Sequence, residues 1–372
     1  MGATVSRGGD RGIGRPGPAR KQNIMKLIQR TTVAAAAAVF FGFAAVSTAT
    51  ASSGPPARHA IAATTSGIKV KATIAVGPGP GPMAANPGTN TSYTAADFNN
   101  VCTVSVISGT TYTVTATITL GSPETGFDPT VIAVNPHTDT IYVAGLTSAG
   151  GQVAVINGHT NTVTATIAVG NTPAGLAINP RTNVLYVANH TEDTVSVISG
   201  RTNTVTATIP VGGGTAGDPE GLALNPLTNR IYVTVSGGSV AVISGKTNTV
   251  TKTVPTGGFP AAIAADPRTR TIYILNGDSN AVQVIKPRIG KVTATIPVTG
   301  ILHGIAADPR TDTIYVSGAS HSGIVSVING RTRKVTAAVK VGNNPAGIAA
   351  DPPASTVYVA NEMDGTVSVL GP

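Results

Sequence analysis

Two side chains could do chemistry together if the fold brought them to one place. Glu220 and His303 hold the middle position of a recurring Pro-x-Gly element, where other copies carry Met83, Thr130, Ala174, Ala261 and Ala346. A carboxylate and an imidazole at one opening could transfer a proton or bind a metal. Asp218, His190, Glu192 and Asp193 are close to Glu220 along the chain, and Asp278, His321, Glu362 and Asp364 stand at related places. Carboxylate oxygens suit Ca²⁺, and histidine with carboxylate suits another divalent cation. The competing reading is drift at an exposed position. A second set is basic: Arg181, Arg201, Arg230, Lys246, Arg268, Arg310, Arg331 and Arg333. Such a set could hold an anionic partner.

Enzyme motifs are missing. Gly245-Lys246-Thr247 has Val240 where a phosphate-binding loop needs its first glycine. Gly318-Ala319-Ser320-His321-Ser322-Gly323 is not a nucleophile elbow. The single cysteine, Cys102, allows no intrachain disulfide and no cysteine-built metal site.

The elements that must position these residues are strands. The chain has 372 residues, 41% of them hydrophobic and only 11% charged. That is enough apolar material for a core, and 44 Gly with 26 Pro punctuate it too often for long helices. An Asn/Asp-Pro pair recurs at Asn86, Asn135, Asn179, Asn225, Asp266, Asp308 and Asp351. Each pair follows a short apolar segment. Each precedes a Tyr-centred strand, such as Leu185-Tyr186-Val187, with a degenerate first copy at Ser92-Tyr93-Thr94. A Val-x-Val-Ile/Leu strand comes next, and a Thr/Val alternation such as Val163-Thr164-Ala165-Thr166-Ile167 closes the unit. Alternating β-branched residues at period two are strands. Asn/Asp-Pro-x-Thr suits a type I turn, and Asn157-Gly158 or Ser199-Gly200 a tight hairpin.

A four-stranded unit repeated radially is a β-propeller. The chain ends after the third strand of its last unit, Val367-Ser368-Val369-Leu370, while an orphan strand begins near Ile68, ahead of the first unit. The expected fold is therefore an all-β, seven-bladed propeller over residues 68–372, with the N-terminal strand completing the last blade. The tyrosines should pack between blades, and Cys102 should be a small buried apolar residue. The first unit departs from the rest, with a loop expected at Ala96-Asp97-Phe98-Asn99-Asn100.

The unit, Asn/Asp-Pro before a Tyr-Val strand and Val-Ser-Val-Ile after it, resembles the YVTN-type, YncE-like propeller repeats over about residues 68–372. The resemblance implies a propeller and company among exported and surface-layer proteins. One YncE-like relative binds DNA. No catalytic signature comes with the family.

Residues 25–51 read as a signal peptide: Met25-Lys26-Leu27-Ile28-Gln29-Arg30, an apolar run from Val33 to Val46, then Ala49-Thr50-Ala51. Residues 1–24 read as a misassigned extension and residues 52–67 as a linker. The apolar run is too short to span a membrane well. A secreted or periplasmic, envelope-associated monomer is expected. The full chain has 25 basic and 16 acidic residues, a net charge of +9. Seven of those bases (Arg7, Arg11, Arg15, Arg20, Lys21, Lys26 and Arg30) and one acid, Asp10, fall before residue 52, so the high net charge belongs mostly to the leader.

The repeat register assigns charge to faces. Loops between strands two and three, and between blades, hold Asp97, Glu124, Asp128, Glu192, Asp193, Asp218, Glu220, Asp278, Glu362 and Asp364, with no Lys or Arg. The opposite turns hold the basic set within thirteen Lys and Arg, against five acids, Asp139, Asp266, Asp308, Asp312 and Asp351. The function this supports is a non-catalytic scaffold binding a protein or an anionic cell-envelope polymer by its basic face. One alternative is non-specific DNA binding by the same face, which carries no stacking aromatic but Tyr112. Another is a metal-dependent hydrolase, lyase or lactonase at the acidic opening.

Overall fold

The computed structural model describes residues 67–99, 101–121, 126–212, 217–319 and 323–372. The expected extension, signal segment and all but the last residue of the linker lie outside the described residues, as do Glu124 and His321. Within the described residues no helix is long and apolar enough to cross a membrane.

Seven four-stranded antiparallel sheets form, each from consecutive segments except the last. Blade 1 runs through Pro80–Asn86, Thr91–Phe98, Val101–Ser108 and Thr113–Leu120. Blade 2 runs through Asp128–Asn135, Thr140–Thr147, Gly150–Asn157 and Thr162–Ala168, and blade 3 through Pro173–Asn179, Val184–Asn189, Thr194–Ser199 and Thr204–Pro210. Blade 6 runs through Ile301–Asp308, Thr313–Ala319, Ile324–Asn329 and Lys334–Lys340. Blade 4 runs through Pro219–Asn225, Arg230–Val235, Ser239–Ser244 and Thr249–Pro255. Blade 5 follows through Pro260–Asp266, Thr271–Asn276, Ala281–Lys286 and Lys291–Pro297. Blade 7 has Pro345–Asp351, Thr356–Asn361 and Thr366–Gly371, and its outer strand is the N-terminal Lys69–Ala75. That strand pairs antiparallel with Thr366–Gly371, Val70 opposite Leu370 and Ile74 opposite Val367. The expected seven-bladed ring with N-terminal closure is the observed one.

One local expectation fails. Ala96, Asp97 and Phe98 are strand rather than loop, because blade 1 extends its central hairpin until Phe98 pairs with Val101. Asn99 then takes the left-handed turn conformation.

Hydrophobic packing runs between blades. The seven strand-two tyrosines, from Tyr93 to Tyr358, are all buried, and burial holds each phenol protonated by raising its pKa. Tyr142 belongs to a cluster with Leu176, Leu185 and Val187 of the next blade. Cys102 is fully buried, and desolvation raises its thiol pKa. Near the axis the glycine of Pro-x-Gly lets the next blade approach: a Cβ on Gly221 would stand 2.6 Å from the Ala261 carbonyl oxygen.

The Asn-Pro asparagine does two jobs. Its side-chain oxygen accepts the backbone N–H two residues on, as in His137 N–H to Asn135 Oδ1 at 3.0 Å and Arg181 N–H to Asn179 Oδ1 at 3.1 Å. Its Nδ2 donates across the seam to the left-handed residue before strand two of the next blade. Asn86 donates to Asp139 Oδ1 at 2.7 Å, Asn135 to Asn183 Oδ1 at 2.8 Å and Asn179 to Asn229 Oδ1 at 2.7 Å. An aspartate at this position keeps the turn and loses the donor.

Asp351 shows the cost. It is 1% exposed, and neither carboxyl oxygen makes a well-aligned hydrogen bond, although the nearby Ala354 backbone N–H partly offsets the burial. Desolvation raises its pKa. The acceptor at the equivalent place in blade 1 is Asn90 Oδ1, also buried and unpartnered. A raised folded-state pKa means that stability is lost as pH climbs through that pKa, so wild type is penalised at neutral pH. Asp351→Asn supplies the missing donor and should stabilise the protein by about 1–3 kcal/mol at pH 7. The gain should shrink in acid, where Asp351 is protonated. Thermal melts of both proteins across pH check this; equal melting temperatures at pH 7 would refute it.

Candidate functional site

The face opposite the Asn-Pro turns brings His190, Asp193, Asp218 and Glu220 together, four of the expected residues. His190 and Glu192 sit in a short 3-10 turn, His190–Glu192, between strands two and three of blade 3. Asp193 follows in the left-handed conformation, φ 53°. Asp218 and Glu220 lead into the inner strand of blade 4. His190 Nδ1 lies 3.2 Å from Glu220 Oε1, and its Nε2 lies 3.9 Å from Asp218 Oδ1. The shorter contact is at ion-pair distance, yet the two atoms are not aligned as a good hydrogen bond and neither has another partner. Asp193 Oδ1 accepts the Asp218 backbone N–H at 2.6 Å, fixing the start of blade 4 against blade 3.

Glu220 raises the His190 pKa, first through its contact at the ring and then through its charge. Partial burial opposes this, and Asp218 and Asp193 reinforce it. The carboxylates therefore favour the charged form of the His190 ring.

His303 does not join it. It starts on blade 6, two blades from Glu220, and its Nδ1 lies 3.1 Å from the Pro345 carbonyl oxygen of blade 7. The expected Glu220–His303 pair is thus not formed. Equivalent positions in a ring face one opening without touching, and each side chain finds a nearer partner in an adjacent blade. Among the described residues no three His, Cys, Asp or Glu side chains are grouped so as to hold a metal ion.

Other acids on this face hold loops. Glu192 accepts the Asn171 N–H at 3.1 Å, and Asp364 accepts the Asn343 N–H at 2.7 Å and its side-chain amide at 2.8 Å. Glu362 accepts the Asn344 side-chain amide at 2.7 Å. These bonds tie each two–three loop to the connection entering its own blade.

The opposite face carries the basic set. Arg181, Arg268 and Arg310 follow Asx-Pro at one repeat position, and Arg201, Lys246 and Arg331 follow glycine at another. All six are exposed, as is Arg230 at the head of strand two of blade 4. Two members are fasteners: Arg310 donates to the Pro352 carbonyl at 3.1 Å and Arg333 to the Thr293 carbonyl at 3.2 Å, both in neighbouring blades. No described Lys or Arg lies in the loops of the acidic face, although Lys340 ends an outer strand near that rim. Lys252 is the residue that a face-by-face reading misses. It sits midway along the outer strand Thr249–Pro255, yet its amino group reaches over Gly290 of the next blade's turn, where a Cβ would collide with it.

No family model matches the chain, and no curated protein sequence matches it. Many solved structures share the architecture. Among them is a chain of Kuenenia stuttgartiensis hydrazine synthase, 19% identical, with a TM-score of 0.68 over 79% of this chain and 95% of that one. At that identity the likeness shows the fold alone.

The His190 cluster makes a pH prediction. A histidine whose folded pKa is raised adds stability that is fully present below its unfolded pKa, about 6.5, and is lost as pH rises through the folded value. His190→Gln should therefore lower the melting temperature more at pH 6 than at pH 9. In Glu220→Gln, the His190 ring should titrate at a lower pH by NMR. An unchanged titration would remove Glu220 as the cause.

Proposed function

We propose that this propeller is a non-catalytic binding module, of the YVTN type, that engages an anionic partner through its turn face. The observation that carries the reading is segregation of charge. Exposed arginines and lysines recur in the turns that join strands one to two and three to four, while the described loops of the other face hold acids and no Lys or Arg. A face with an excess of one sign concentrates counter-charged partners and orients their approach, with a reach of ~8 Å at physiological salt. Here the bases outnumber the turn acids Asp139, Asp266, Asp308, Asp312 and Asp351. Export by the N-terminal segment would present that face to proteins or anionic polymers of the cell envelope.

Nucleic acid is an anionic polymer too, and the same face would attract it. Tyr112 is the one aromatic of these turns, and its ring is half-buried, so stacking adds little. Any such binding should be indifferent to sequence and fall steeply with salt.

Retention on an immobilised anionic polymer tests the reading. The wild-type chain should be held at low salt and released as salt rises. Arg181→Ala, Arg201→Ala and Arg331→Ala together should release it at clearly lower salt. Equal elution of the variant and wild type would overturn the proposal.

A further inference from the structure

The turn face opens into a cavity of about 620 Å³ between blades 4 and 5. That volume is ordinary for a small-molecule site, where ~300–1,000 Å³ is usual. Five bases line it: Arg230 and Lys252 from blade 4, and Arg270, Lys286 and Arg288 from blade 5. No acid lines it. Among the described residues none of the five has a carboxylate within ion-pair distance.

The repeat explains why the cavity is here. In blades 1, 2, 3, 4 and 6 a glycine opens the three–four turn and donates its N–H to the carbonyl of the left-handed residue before strand two. Gly158 to Asp139 at 2.8 Å and Gly245 to Asn229 at 2.9 Å are examples. Blade 5 has Pro287 in place of that glycine, with no N–H to give, and Arg270 in place of the Asx residue. The seam bond fails at the same point. Asn225 of blade 4 has no side-chain acceptor opposite, because that residue is Arg270, and Asn225 lines the cavity instead.

Four of the five bases are departures from the repeat rather than copies of it. Lys252 pairs with Val242 where every other blade has alanine: Ala72, Ala116, Ala165, Ala207, Ala294 or Ala337. Arg230 stands where the others have threonine or Val184. Lys286 stands where they have Ser, Asn or Gly. Arg270 keeps a left-handed backbone, φ 54°, which all the other blades give to Asn, Asp or Ser. Duplication did not place these charges. Drift would have scattered them over seven blades, whereas they converge on one seam, where like charges repel until an anion enters.

We infer that the cleft between blades 4 and 5 binds a compact polyanion, a small molecule carrying several phosphate or carboxylate groups. Guanidinium forks at Arg230, Arg270 and Arg288 match either group in paired hydrogen bonds, and Lys252 and Lys286 add point charges. The Tyr232 phenol also lines the site and stays protonated as a donor, since burial raises its pKa against the opposing charge of Arg230. Pro287 and Ile289 give it an apolar wall. This site does not require the partner-binding reading, because four of its five bases are not ones the repeated turns share; Arg288 alone stands at the turn position of Arg201, Lys246 and Arg331.

Calorimetric titration of the full chain with tripolyphosphate, and separately with citrate, at an ionic strength of about 0.15 M, tests it. At least one should bind once per chain. Tripolyphosphate alone would identify phosphate chemistry and citrate alone carboxylate chemistry; both binding would leave charge density as the criterion. The triple variant Arg230→Thr, Lys252→Ala, Arg270→Asn restores residues that other blades carry, so it should fold, and its melting temperature checks that. Its affinity should fall by about tenfold or more. The triple variant Arg181→Ala, Arg201→Ala, Arg331→Ala should keep affinity to within about twofold. Failure of both anions to bind, or an equal loss in both variants, would overturn the inference. Polymer retention could fail while tripolyphosphate still binds, which would reject the partner-binding reading alone.

Discussion

The pairing of Lys69–Ala75 with Thr366–Gly371 is the constraint on which everything else rests. Seven sheets that each cover one neighbour can bury all their faces only if the row closes. Without the N-terminal strand, blade 7 would end in an open third strand carrying Val367, Val369 and Leu370, all fully buried in the closed ring. An open edge of that kind templates unwanted pairing. Closure also sets geometry. It fixes the angle between every pair of blades, and so the distance across every seam.

Within that ring one side chain recurs as the seam fastener. An asparagine can close its own turn and still donate to the next blade, because its amide is acceptor and donor at once. Aspartate can do only the first. The ring therefore changes character along its length. The seams from blade 1 to blade 4 are amide-bonded. The seam between blades 5 and 6 brings Asp266 towards Asp312, whose pKa is raised by burial and then by that neighbour. Blades 4 and 5 meet at the place where asparagine has no acceptor opposite it, and there the turn face opens. Function in a repeat protein is expected where the repeat is broken, and the departures at Arg230, Lys252, Arg270, Lys286 and Pro287 fall together.

The architecture could be read from the chain because its signals are local and repeated. Asn/Asp-Pro marks a turn, Tyr-Val marks a buried strand, and the orphan strand near Ile68 supplies the missing outer strand of blade 7. The sites were harder because they depend on contacts between blades. Sequence position shows that Glu220 and His303 are equivalent, but not that His190, from the preceding blade, reaches Glu220 first. Lys252 looks like one more exposed residue on an outer strand until the alanines at its six equivalents are set beside it. That comparison was available in the sequence. Its meaning needed the seam, because only the folded ring puts Lys252 over Gly290. The hairpin through Ala96 and Phe98 was misread for a simpler reason: polar residues can continue a strand at a sheet's exposed end as easily as they form a loop.

Hydrogen–deuterium exchange at peptide resolution tests closure most directly. The account predicts that amides of 69–75 and of 366–371 are protected to the same degree and lose protection together as denaturant is added, because either strand opens only when the ring does. Rapid exchange across 69–75 while 366–371 remains protected would contradict it, and would show a ring that stands without its N-terminal strand.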